Sequence, residues 1–590
     1  MNLYRKCLVF VVLMFIPVLL MAQNGASGKI SWDTPGTGNV DVIVQYASQP
    51  DAAQHQKVFR TGGTLNHELK SIKSGAYTIP RSALEGLAAD PNVVHISPDH
   101  GLRGMLNFAN PAVNANVALA HGYDGTGIGV AILDSGVNGA PDLGVANWWG
   151  FGTRVVYSEN FTPGSGDTGD KYGHGTHVAG IVGGNAFLSD FPWNTYTFRG
   201  IAPNANVVNL KVLDQNGNGT DSAVIAAIER AVTLKSQYNI RVINLSLGRP
   251  ITESYALDPL CQAVEYAWKN GITVVVAAGN YGRFDEFDNN GYGTITAPGN
   301  DPFVITVGAM NDEGTVTRTD DRITSYSSKG PTAFDHIVKP DIVAPGNHVI
   351  SLASPGSGLY EQSGSLGQLI LNSYYGNPLW GYSSQYFPLS GTSIAAPIVS
   401  GAAALLLQQD STLTPDQIKA RLMLTASKSF PTSSTVTDAT TGVTYTSYYD
   451  IFTIGAGYVD VWAALSSNAR SGGIALSPTA VRDSSGVVHL TDTISNSALS
   501  AVWGSSAVWG SSAVWGSSAV WGSSTLTPLS AVWGSSAVWG SSAVWGSSAV
   551  WGSSAVWGSN TSVFSDSAVW GSSTAWGSSA VWGSVELTGE

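Results

Sequence analysis

Four short runs of unbroken, largely β-branched apolar residues constrain this chain more than any other feature. They are Gly129-Val130-Ala131-Ile132-Leu133, Val207-Val208-Asn209-Leu210-Lys211-Val212, Val242-Ile243-Asn244-Leu245-Ser246 and Thr273-Val274-Val275-Val276-Ala277-Ala278. A strand with one wet face alternates apolar and polar residues, so an unbroken run needs cover on both faces. Helix-patterned stretches, Ser222 to Tyr238 and Asp258 to Asn270, lie between the later runs. This alternation predicts an α/β domain over residues 105–466, with a mostly parallel central sheet as the middle of three layers. Side chains that do chemistry in such a fold sit at the carboxyl ends of the strands.

What flanks this domain is of a different kind. Arg5 and Lys6 precede an apolar run from Leu8 to Met21 that ends at Ala22-Gln23, the pattern of a secretory signal peptide over residues 1–22. Cys7 lies inside that segment, so Cys261 is the one cysteine of the expected mature chain and no internal disulfide can form. The expected destination is outside the cell or on its surface. Residues 23–104 read as a small α+β unit. The predicted order is strand 40–46, helix 52–60, strand 75–79, helix 82–88 and strand 93–97, with no catalytic cluster. With 28 Lys+Arg against 41 Asp+Glu and a net charge of −13, the chain lacks the basic face that nucleic acid requires.

Residues 467–500 read as a linker or short β segment, with strand-like 481–483 and 487–490. Residues 501–590 then repeat Ala-Val-Trp-Gly-Ser-Ser. Twelve of the 19 Trp fall there, and Asp566 is the one charge between Ala501 and Ser584. A six-residue period puts every Trp on one face of an extended chain. In an α-helix it would rotate them by about 240° per repeat and make no stripe. Two readings of this tail stay open: a β-roll or stacked hairpins, and a disordered Gly/Ser-rich segment. Its exposed Trp could contact a cell surface, a glycan or other copies of itself.

Three segments of the central domain carry chemistry-bearing residues. Asp134 ends the first strand in Ala131-Ile132-Leu133-Asp134-Ser135-Gly136. His174 lies in Gly173-His174-Gly175-Thr176-His177-Val178-Ala179-Gly180. Ser393 opens an apolar helix in Gly391-Thr392-Ser393-Ile394-Ala395-Ala396-Pro397. The two His have no adjacent Glu and no third ligand, which argues against zinc.

Taken together, these segments resemble the subtilisin-like serine peptidases over roughly residues 110–466. The order Asp, His, Ser is the one known for subtilisin. Asn280 in Ala277-Ala278-Gly279-Asn280, the segment Lys339 to Gly346, and Gly455-Ala456-Gly457-Tyr458-Val459-Asp460 extend the likeness. The resemblance implies a triad of Asp134, His174 and Ser393, with an oxyanion hole from the Asn280 side chain and the Ser393 N–H. It implies polypeptide substrates and no cofactor for the chemistry. It places Ser246, Leu247, Gly248, Ala277 and Gly279 in the walls of the pocket for the residue before the scissile bond. Thr296 stands at the floor, where many relatives have Gly, so the expected pocket is shorter and disfavours large aromatic residues. Gly217 and Gly219 fall on an edge strand expected to pair with extended substrate.

The same resemblance makes residues 23–104 an inhibitory propeptide, removed by autocleavage between about His100 and Asn110. Asp142 matches a position that ligates structural calcium in many relatives, although the companion loop is not recognisable in residues 184–197. Asp214-Gln215-Asn216-Gly217-Asn218-Gly219 opens like an EF-hand, but its twelfth position is Ile225 rather than Glu. Two other classes fit the residues less well. A surface adhesion protein on a dead peptidase scaffold is disfavoured because every catalytic position holds the required residue type. A lipase or esterase is disfavoured because the Ser393 segment lacks the second Gly of a Gly-x-Ser-x-Gly elbow.

Overall fold

The computed structural model describes residues 29–30, 38–69, 73–98, 106–145, 152–164, 166–191, 194–284, 290–375, 381–438, 442–470, 473–482, 488–491 and 525–526. The expected signal segment, Cys7 and nearly all of the Trp repeats lie outside the described residues. The chain divides into two compact units, Met1–Arg103 and Gly104–Glu590.

The first unit is an antiparallel sheet with two helical segments. Its strands are β1 (Asn39–Tyr46), β2 (Thr64–Leu69), β3 (Ser74–Pro80) and β4 (Val93–Pro98), in spatial order β2-β3-β1-β4. Asp51 caps the Ala52–Arg60 helix through a reciprocal capping box with Gln54. Val42, Val44, Val58, Tyr77, Ile79, Leu84 and Ile96 form the core. The sequence pattern predicts three strands, and the structure has four. The extra one, β2, is an edge strand whose register shifts between Leu65 and His67, so its alternation is too short and too polar to stand out.

The second unit is built on an eight-stranded sheet. Its strands are β5 (Gly129–Asp134), β6 (Val155–Asn160), β7 (Asn206–Lys211), β8 (Ile240–Leu245), β9 (Thr273–Ala277), β10 (Ile305–Asn311), β11 (Arg322–Ile323) and β12 (Ile342–Pro345). The order is β11-β10-β9-β8-β5-β7-β6 with β12 on β10, and every pairing except β10 with β11 is parallel. Every residue of β5, β9 and β10 is buried, so both faces of the sheet are covered, as the unbroken runs require. Two helix pairs supply the cover. The His174–Gly183 helix packs on the Thr392–Gln409 helix, and Asp221–Tyr238 packs on Pro259–Lys269. Thr220 and Asp258 cap the second pair, with Pro259 at the first helical position.

Residues 475–480 also dock on this unit. Ser477 N–H donates to the Pro302 carbonyl at 2.9 Å, Pro478 accepts from Val338 N–H at 2.8 Å, and Ala475, Leu476 and Ala480 are buried. A short hairpin of Thr479–Arg482 with Val488–Thr491 follows, and Thr525–Leu526 pairs with Val488–His489. Ser477 completes a buried polar cluster. The Lys419 ammonium donates to the carbonyls of Pro302 (2.8 Å), Phe303 (3.2 Å) and Val304 (3.0 Å) and to Ser477 Oγ (2.9 Å), and it lies 3.2 Å from Asp341.

Candidate active site

Asp134 is the last residue of β5, which lies between β7 and β8 near the centre of the sheet, so its carboxylate emerges at the carboxyl edge. His174 is the first residue of its helix, behind Gly173 in the left-handed region at φ 104°. Gly175 permits the close approach that follows: a Cβ there would stand 2.2 Å from the Gly136 carbonyl oxygen. The His174 Nδ1–H donates to both Asp134 oxygens, at 2.8 and 2.9 Å. That fixes the tautomer, leaving Nε2 to accept from Ser393 Oγ at 3.0 Å. All three side chains are buried. Burial by itself would lower the His174 pKa, but the facing Asp134 carboxylate outweighs it and the net shift is upward.

Ser393 is the second residue of the Thr392–Gln409 helix, so its N–H is one of the helix donors with no intrahelical partner. Pro397 stands four residues on and has no N–H to give the Ser393 carbonyl. Ser246 Oγ donates to that carbonyl instead, at 2.6 Å, and is itself held by Asn244. Thr392 donates to Asn280 Oδ1 twice, from its N–H at 2.9 Å and from its hydroxyl at 3.0 Å. The Asn280 oxygen is thereby occupied, and its amide NH₂ is the end left to donate. The group can abstract a hydroxyl proton, attack a carbonyl carbon and offer two donors to the oxygen that becomes negative.

The expected pocket segments are laced together. Arg249 and Ala297 exchange two backbone hydrogen bonds of 2.8 Å, Thr296 N–H donates to the Ala278 carbonyl at 3.1 Å, and Ser328 N–H donates to the Gly279 carbonyl at 2.9 Å. Ser246, Leu247, Gly248, Ala277 and Thr296 are buried along these segments. Gly279, at φ 107°, has no room for a Cβ, which would meet Thr296 Cγ2 at 2.7 Å.

Residues 125–445 match the Subtilase family profile. The chain belongs to the subtilase family. Serine protease AprX of Bacillus subtilis (strain 168) is 35% identical over 367 residues, covering 60% of this chain and 74% of that protein. Subtilisin E of the same strain is 30% identical over 384 residues, covering 64% and 82%. A crystal structure of a cold adapted subtilisin-like serine proteinase is 29% identical, covers 52% of this chain and 84% of its own, and has a TM-score of 0.36. This subtilase is thus a subtilisin-like serine endopeptidase by family.

Two of the expected site segments have a defined local structure in this subtilase. Gly217 lies in a turn, and Gly219 follows it in a β-bridge rather than in a full edge strand. Asp214 Oδ1 accepts from Asn216 and Asn218 N–H, and a single bridge joins Leu213 to Gly219. The local Asx turn wins because Asp and Gly favour it over extended backbone. Asp142, the expected calcium ligand, is engaged by protein donors in this structure. Its oxygens accept from Leu188 N–H at 3.0 Å and the Tyr386 hydroxyl at 2.5 Å, and burial raises its pKa. Among the described residues no group of three or more His, Cys, Asp or Glu could hold a metal ion. The second histidine of the motif, His177, uses Nε2 on the Val349 and Phe387 carbonyls, and burial pushes its pKa down to about 3. Cys261 is a buried free thiol facing Asn300, its pKa raised by burial.

Sequence reasoning overlooked the side chains that hold the site: Ser135, Asp170, Thr392, and Ser246 in its role as carbonyl donor. Thr392 and Ser135 sit beside motif residues, and that adjacency was the available signal. Asp170 lies just ahead of the His174 helix, and that place was its one local signal.

Proposed function

We propose that this subtilase hydrolyses peptide bonds through an acyl-enzyme formed on Ser393. His174 Nε2 takes the Ser393 hydroxyl proton as Oγ attacks the scissile carbonyl, and Asp134 stabilises the resulting imidazolium. Asn280 NH₂ and the Ser393 N–H donate to the oxyanion. The imidazolium then passes its proton to the leaving amine. Water, deprotonated by the same nitrogen, releases the acid and regenerates the serine. The observation that carries this reading is the unbroken hydrogen-bonded chain from Asp134 through His174 to Ser393.

In this reading Thr296 shortens the pocket for the residue before the cleaved bond. The protein is made as a secreted precursor whose residues 23–104 inhibit it until self-cleavage. One experiment addresses all three points: a peptide library and mass analysis of the expressed chain, for wild type and Ser393→Ala. Wild type should cleave after small or medium residues and shed its first unit. The variant should lose on the order of 10⁶ in kcat, the magnitude known for subtilisin, and stay full length after signal removal. Cleavage mainly after Phe or Tyr would reject the short pocket, and normal shortening of the variant would reject self-processing.

A further inference from the structure

Asp170 is a fully buried carboxylate that the proposed reaction does not use. Its Oδ1 accepts from Ser135 Oγ at 2.8 Å and from Gly173 N–H at 2.6 Å, and its Oδ2 accepts from Thr176 N–H at 2.8 Å. Burial raises the Asp170 pKa, and the donors that converge on both oxygens oppose that shift and favour the ionised carboxylate. Gly173 and Thr176 belong to the first turn of the helix that His174 opens, so Asp170 grips the base's helix. Ser135 reaches the other partner. Its N–H donates to Asp134 Oδ1 at 2.7 Å, and its Oγ accepts from Gly175 N–H at 2.9 Å. The backbone of Asp170 is held as well, with its carbonyl accepting from Ser354 Oγ at 2.7 Å and Asn138 Nδ2 at 3.2 Å.

We infer that Asp170 is a positioning residue: through Ser135 and the first turn of the His174 helix it sets Asp134 and His174 in register, and its charge favours the imidazolium. This rests on the reading of Asp134, His174 and Ser393 given above. The groups that face His174 are Asp134, Asp170, His177, Ser393 and the Tyr172 ring, 6.5 Å away. Of these, Asp134 and Asp170 raise its pKa. His177 is held neutral by burial. Lys211 on β7 is the cation that faces Asp170, with its ammonium on the Gly169 carbonyl.

A charge effect and a packing effect separate by pH profile. Asp170→Asn keeps the shape and removes the charge. It should lower kcat about tenfold or more, given that misplacements of about 1 Å cost on the order of 10²-fold. It should also move the acid limb of kcat/KM to lower pH by roughly half a unit. Ser135→Ala cuts the bridge and leaves the charge, so kcat should fall while the acid limb stays in place. An Asp170→Asn enzyme with wild-type kcat and an unmoved limb would overturn the inference. If that variant does not fold, Ser135→Ala decides: wild-type kcat there would reduce Asp170 to a helix cap. Should Ser393→Ala retain full activity, the underlying reading falls first; should it be inactive while Asp170→Asn is normal, this inference alone fails.

Discussion

Asn280 acts, in this account, through one end of its amide. Thr392 occupies the oxygen with two donors, which in the proposed mechanism leaves the NH₂ group already oriented to donate. Preorganised donors of this kind matter most where charge develops in the transition state. Asn280→Ala should therefore lower kcat by about 10²- to 10³-fold with KM nearly unchanged, measured on a single peptide substrate. An equal rise in KM with constant kcat would contradict the role. The pH dependence has a definite sign. A base must be neutral to accept a proton, and the Asp134 carboxylate holds the His174 pKa above its ordinary 6.5. So kcat/KM should climb as pH rises through an apparent pKa above 6.5, and an acid limb centred below 6 would show that another group is titrating. The residue types at the centre of the site were legible because Asp134, His174 and Ser393 each sit in a Gly-rich or small-residue motif. Their partners Ser246 and Asp170 were not, because Ser246 meets Ser393, and Asp170 meets Ser135, only after folding. Ser246 lies 147 positions from Ser393, whose carbonyl it serves.

At the scale of elements, unbroken apolar runs translated directly into β5, β7, β8 and β9, and the helix predicted from Ser222 to Tyr238 begins at Asp221. Periodicity and caps are local, so they survive into the fold. Segments governed by partners elsewhere were harder to read. The edge strand Thr64–Leu69 depends on β3 for its pairing, and residues 475–480 on Pro302, His336 and Val338 for their docking. The Pro415–Thr425 helix shows what such docking depends on. Lys419, wholly buried, ties that helix to the 302–304 carbonyls, to Asp341 and to Ser477. Replacing it with Met would leave those oxygens buried without their shared ammonium. Because Asp341 keeps Lys339 at 2.7 Å, Lys419→Met should cost about 1–3 kcal/mol, read as a lower denaturant midpoint in a Ser393→Ala background that cannot digest itself. A midpoint equal to the parent's would show that the cluster contributes nothing to stability.

For the whole molecule, the sheet and its two helix pairs exist to bring distant residues together. Asp134 and His174 lie 40 positions apart and Ser393 another 219 beyond, yet consecutive hydrogen bonds of 2.8 and 3.0 Å link them. Each arrives from a different element: the end of β5, the start of one helix and the start of another. The parallel topology places those ends on one edge of the sheet. Composition described this poorly, because the Trp content reports on residues 501–590 and not on the α/β domain. The central claim is that Ser393 is the nucleophile of a peptidase activated by His174. It is tested most directly by treating the mature protein with an aryl fluorophosphonate and mapping the adduct by peptide mass spectrometry. The account predicts one adduct per chain, on Ser393, that disappears in His174→Ala under the same conditions. An adduct on another residue, or labelling of Ser393 that proceeds at the wild-type rate without His174, would contradict it.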